Sequence, residues 1–146
     1  MKRFDKHEEI LELVRSFEEA TVSRDAWKHS EHLAVALYYV VHHDLETATE
    51  KMRSGILNLL TKGFDVDVSK EMPYHETMTI FWIHAVADYV SSTNGSSLLA
   101  KANELVEKYD KNYPLKFYSR ELLFSDEARK RFVEPDLFEA SEDSAE

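Results

Sequence analysis

No cysteine occurs among the 146 residues. That excludes disulfide staples, thiolate nucleophiles and zinc centres built on sulfur, and it points to a cytoplasmic setting. Glycine and proline are almost as scarce, with three of each. Sandwiches and barrels use both at their many turns, so a few long helices are expected rather than many short strands. Long apolar runs are missing too. The longest, 33–41, falls far short of the roughly 20 residues that a helix needs to span a bilayer. Lys2, Arg3 and Lys6 near the start have no apolar stretch behind them, so they do not read as a signal peptide, and no membrane partner is expected. Positive charge is in deficit: 18 Lys and Arg stand against 28 Asp and Glu, a net charge of −10. Nucleic acid is therefore not an expected partner, because binding it depends on neutralising phosphates.

What is present suits a helical core. The chain is 43% hydrophobic and 12% aromatic, enough at this length to form one domain over residues 1–135 without staples. Asp136, Glu139, Glu142, Asp143 and Glu146 make residues 136–146 read as an acidic, disordered tail.

Five longer helices follow from the periodicity. The first is expected over 6–21, with Ile10, Leu13, Val14 and Phe17 on its apolar stripe and Asp5 with Glu8 as a capping box. The second, over 26–42 with Asp25 as its cap, has apolar residues on every side through Leu33-Ala34-Val35-Ala36-Leu37-Tyr38-Tyr39-Val40-Val41. Such a helix is central, with neighbours all round. Asp44 caps a third over 44–61, stopped by Lys62-Gly63. Pro73 opens a fourth over 73–90, and a fifth covers 97–109. Short helices are expected at 120–123 and at 126–132, the latter capped by Ser125. The fold class is all-α: a bundle of about five longer helices with short C-terminal ones.

Named catalytic motifs are lacking. No His-Glu-x-x-His, Glu-x-x-His, phosphate-cradling glycine loop or Gly-x-Ser-x-Gly elbow occurs. Histidine is the informative residue, with seven copies. His7 and His42 read as surface residues, which leaves His29, His32, His43, His75 and His84. His29 and His32 stand three apart, so on a helix their rings lie one turn apart on one side, continuing through Ala36, Tyr39 and His43. His75 shares a stripe with Thr79 and Trp82 at the start of the fourth helix.

Two classes of function are compatible with these residues. In the first, His29, His32 and His75 bind one divalent transition metal (Zn, Fe or Ni), and Glu76 is a fourth ligand or general base. The chemistry would then be metal-assisted hydrolysis or oxidation. A metal-free small-molecule site at the same place is the variant of this reading. Trp27 and Trp82 would wall the pocket, with hydroxyls from Tyr38, Tyr39 and Tyr74. Arg53 would pair with Glu76 or receive an anionic substrate, unless it is a surface residue. In the second class the His and Glu side chains form a structural hydrogen-bond cluster, and the chain is a non-catalytic helical module that binds a protein partner or a second copy of itself. The segment 118–125 is either a lid over the bundle or a packed C-terminal element.

Three stretches together carry a resemblance. They are Trp27-Lys28-His29-Ser30-Glu31-His32-Leu33-Ala34-Val35-Ala36, Tyr74-His75-Glu76-Thr77-Met78-Thr79 and Ser119-Arg120-Glu121-Leu122-Leu123-Phe124-Ser125. The chain resembles, over most of 27–135, an uncharacterised family of small bacterial all-helical proteins with Trp-x-His-x-x-His-Leu and Tyr-His-Glu-Thr motifs. Those motifs map onto Trp27, His29, His32 and Leu33, and onto Tyr74, His75, Glu76 and Thr77. The resemblance implies a shared site and no particular reaction.

Overall fold

A computed structural model describes residues 4–67, 69–70, 73–93 and 95–137. Every regular element among them is helical: α1 (His7–Glu18), α2 (His29–His42), α3 (Leu45–Asn58), α4 (Glu76–Ser91), α5 (Leu98–Lys108), α6 (Arg120–Leu123) and α7 (Asp126–Lys130). A π-turn over Leu59–Gly63 ends α3, and a 3₁₀ turn over Tyr113–Lys116 follows α5. The all-α class is as the periodicity requires.

The all-round apolar pattern of α2 has its expected consequence. Leu33, Ala34, Val35, Ala36 and Leu37 have no exposed surface, and the helix touches α1, α3, α4 and α5. Ala34 and Ala36 let those neighbours approach closely. From α1, Ile10, Val14 and Phe17 point into this core. Phe17 fits because position 55 is glycine: a Cβ there would stand 2.2 Å from its Cε2 atom. On its other side the Phe17 ring stacks on Trp27, with 5.1 Å between centroids.

Several helix starts differ from expectation, each for a local reason. Asp5 does not cap α1; its own N–H donates to Glu9 Oε1 at 2.8 Å, and Lys6 holds the cap position. Asp25 caps nothing either. Residues 23–27 form a turn, in which Ala26 and Trp27 N–H donate to the Ser23 carbonyl, and α2 begins only at His29. Pro73 stands before α4 rather than in it, and His75 caps that helix. Asp44 and Ser125 cap as expected, accepting from Thr47 N–H and Ala128 N–H.

The C-terminal segment lies across α4 as a packed element and not as a lid. Tyr118 and Leu123 are buried, and the Tyr118 hydroxyl donates to the Val133 carbonyl at 2.6 Å. Asp136, expected in the tail, accepts from both the N–H and the hydroxyl of Ser119 at 2.7 Å, and Leu137 N–H donates to the Phe117 carbonyl. The remainder of the expected tail, 138–146, lies outside the described residues. No helix among the described residues is long and apolar enough to cross a membrane.

Candidate functional site: an aromatic cavity at the starts of two helices

α2 and α4 begin at the same end of the bundle, where α3 finishes and the chain leaves α5. A cavity of about 530 Å³ opens there. Its lining includes Trp27, His29 and His32 from the start of α2, and Tyr74, His75 and Trp82 from the start of α4. Two remote stretches of chain thus bring all three histidines and both tryptophans to one hollow. The walls are otherwise mostly apolar, with Ile56, Leu60, Met78 and Phe124 among them. Trp82 is buried beside His29, with 4.9 Å between ring centroids, and Trp27 meets the His32 ring edge-on at 5.9 Å.

The three imidazoles differ in what their nitrogens are doing. His75 Nδ1 accepts from Met78 N–H at 3.2 Å, capping α4. Its Nε2 lies 2.5 Å from the Leu123 carbonyl. A carbonyl only accepts, so Nε2 carries the proton and Nδ1 the engaged lone pair. No lone pair remains for a metal. His29 Nε2 lies 2.8 Å from the Tyr109 carbonyl and is protonated for the same reason, which leaves only Nδ1. His32 is half-buried, and its ring has no hydrogen-bond partner among the described residues. Burial, with neighbouring His29, lowers its pKa from 6.5 to about 4. At neutral pH it is an uncharged ring with one donor and one acceptor. Burial also holds the His75 ring below the ordinary range.

The three rings expected as metal ligands are not arranged as a metal-binding group among the described residues. Among the described residues, no group of three or more His, Asp or Glu side chains is placed to hold a metal ion. His29, His32 and His75 share a cavity, yet one ring has both nitrogens committed and a second has one. Glu76 is neither a fourth ligand nor a poised base. It does not line the cavity, and Arg53 grips it through two bonds, Nε to Oε1 at 2.9 Å and Nη2 to Oε2 at 2.5 Å. The Tyr74 hydroxyl donates to the same Oε1 at 2.6 Å. The Arg53 guanidinium keeps the carboxyl below its usual pKa, which suits a fixed anion and weakens a base. Arg53 is therefore the partner of Glu76, one of the roles expected of it, and does not line the cavity itself.

The Tyr-His-Glu-Thr motif is accordingly a tether point. Tyr74 reaches Glu76, His75 reaches Leu123 and Glu76 reaches Arg53 on α3. Thr77 Oγ1 donates to the Arg131 carbonyl at 3.0 Å and accepts from Val133 N–H at 3.2 Å. His75, Glu76 and Thr77 thus fasten α4 to α3 and to the C-terminal segment, with Tyr74 bracing Glu76. His43 and His84 are exposed and lie away from the cavity. Tyr38 and Tyr39 do not line it either; the Tyr39 hydroxyl donates to Glu18 at 2.7 Å.

Phe124, from the segment weighed as a lid, also lines the cavity, as do Lys28, Lys111 and Asn112, which were given no role in the sequence. Lys28 was adjacent to a marked residue. Lys111 and Asn112 come from a connector, where no periodicity gives a signal. No protein-family model matches the chain, and no curated protein or solved structure does either, so the chemistry of the cavity is the guide to its use.

Proposed function

We propose that the chain binds a small, flat, largely apolar molecule in the cavity between the starts of α2 and α4, and recognises it through the His32 ring. The supporting observation is the contrast among the histidines. His29 and His75 give nitrogens to backbone carbonyls, whereas His32 faces an aromatic hollow with neither nitrogen matched by a described residue. A ligand atom that bonds to this ring gains about 0.5–1.5 kcal/mol and a fixed orientation. Apolar walls with few convergent polar groups are the usual make-up of a small-molecule site, and about 530 Å³ falls within the roughly 300–1,000 Å³ such sites occupy. On this reading the site is one of binding, no reaction is assigned to it, and the setting is the cytoplasm. The two segments that carry the resemblance to small helical proteins would each supply one wall.

A convenient probe is 2-naphthol, a flat aromatic whose hydroxyl can donate to a neutral imidazole. In a nitrogen-15 NMR titration, the two indole N–H signals, Trp27 and Trp82, are expected to move together. A His32→Leu variant should bind about three- to tenfold more weakly, the worth of one ordinary hydrogen bond. Indole signals that stay still, or equal binding by the variant, would refute the proposal. Zinc added in place of the naphthol is expected to leave both signals unmoved.

A further inference from the structure

We infer that the molecule held in this cavity is an acid, with its flat apolar body between Trp27 and Trp82 and a single anionic group at the mouth beside Lys28 and Lys111. This rests on the cavity being a binding site and adds the charge class of what it takes.

The first support is a local reversal of composition. Acidic side chains outnumber basic ones by 28 to 18 over the chain. Yet no described residue lining the cavity is acidic, while Lys28 and Lys111 both line it. Both lysines are exposed, and neither has an ion-pair partner among the described residues. Two carboxylates close to them in sequence bond to nearby backbone and hydroxyl donors. Glu31 accepts from Lys28 N–H at 3.2 Å and from the Ser30 hydroxyl at 2.9 Å, and Asp110 accepts from Asn112 N–H at 2.9 Å.

The backbone adds to this field. The first turns of α2 and α4 open onto the cavity, and a helix N-terminus favours an anion, an effect offset in part by Glu31 and Glu76 in those same turns. The opposing contribution at the exit of α5 is reduced, because the Tyr109 carbonyl there is covered by the protonated His29 Nε2. The uncharged His32 ring lies among the aromatic walls, where it can bond to a polar atom of the ligand body. The basic groups belong to the lysines at the mouth, where the charge can stay hydrated. A polyanion does not fit, because the net charge of −10 repels it at long range.

The test compares 6-hydroxy-2-naphthoate, which keeps the hydroxyl that meets His32 and adds a carboxylate, with 2-naphthol by isothermal titration of the full chain. At low salt the carboxylate is expected to bind about fivefold more tightly, the upper end for a solvated ion pair. That advantage should vanish when ionic strength rises from ~0.01 M to ~1 M, where the screening length falls from about 30 Å to about 3 Å. It should also vanish in a Lys28→Gln/Lys111→Gln double variant and persist in Lys130→Gln, a change at the end of α7 outside the cavity. If 2-naphthol binds but 6-hydroxy-2-naphthoate binds no better, the acid class is wrong and the cavity reading stands. An advantage that survives both salt and the double substitution overturns the role of the lysines. If neither compound binds, both inferences fall together.

Discussion

Acid should weaken this fold through one ring, by an amount the structure supplies. The His32 pKa is lowered from 6.5 to about 4, chiefly by burial. The unfolded chain therefore takes up a proton at a pH where the folded chain does not. Stability attached to the neutral ring is fully present above about pH 6.5 and is lost as the pH falls through about 4. Integrating between the two values gives about 2 kcal/mol lost by pH ~5 and about 3 kcal/mol below pH ~4. The assay is urea unfolding followed by circular dichroism at about pH 7.5 and about pH 5, for the native chain and for His32→Gln. Glutamine is polar and similar in size but does not titrate. The His75 ring is shifted the same way and is present in both proteins, so it cancels. The native chain should lose about 2 kcal/mol more than the variant over this interval. Equal losses would mean that His32 titrates as it would in water, and the picture of a desolvated neutral ring would be wrong.

Five further substitutions test the supports around the cavity. Gly55→Ala should destabilise by about 1 kcal/mol net in thermal or urea unfolding, since overpacking against buried Phe17 outweighs the helix propensity gained; it should also change the emission of Trp27, which stacks on that ring. Arg53→Ala should cost about 1–3 kcal/mol by leaving the mostly buried Glu76 carboxylate short of its partner, whereas Glu50→Ala, at the exposed end of the same guanidinium, should cost about 0.5 kcal/mol or less. His75→Ala should cost about 1–2 kcal/mol, and His75→Asn should recover the helix cap but not the bond to Leu123, so an intermediate unfolding midpoint is expected.

The helices were legible because burial writes a period into the chain. The all-round apolar run 33–37 could only belong to a central helix, and the stripe of Ile10, Val14 and Phe17 could only belong to a one-sided one. Helix starts were less legible, because distant contacts select the cap. Asp25 has the right chemistry for a cap, but the turn from Ser23 carries Trp27 back against Phe17, and the helix begins later. His75 caps α4 while its far nitrogen is held by Leu123, a partner 48 residues away that no local pattern reveals. The same distinction runs through the site. Helical spacing was enough to group His29 with His32 and His75 with Trp82, while Trp27 was linked to them only by its nearness in sequence. It could not say which ring nitrogens would be occupied, because the carbonyls of Tyr109 and Leu123 that occupy them come from other elements. Metal ligation was thus an expectation from residue type alone, whereas the ring nitrogens of His29 and His75 bond to those carbonyls. The pairing of Arg53 with Glu76 was among the alternatives considered, since a guanidinium within an apolar stretch needs an anion. The lysines at the mouth had no such signature.

The most direct test is the ring nitrogen spectrum of the histidines at neutral pH, followed through a 2-naphthol titration. His75 should appear as one tautomer with its proton on Nε2 and should not move; His32 should be uncharged and should shift as the probe is added. A His32 ring that is half-protonated near pH 6.5, or that stays still while His75 responds, would contradict the assignment of His32 as the group that meets the ligand.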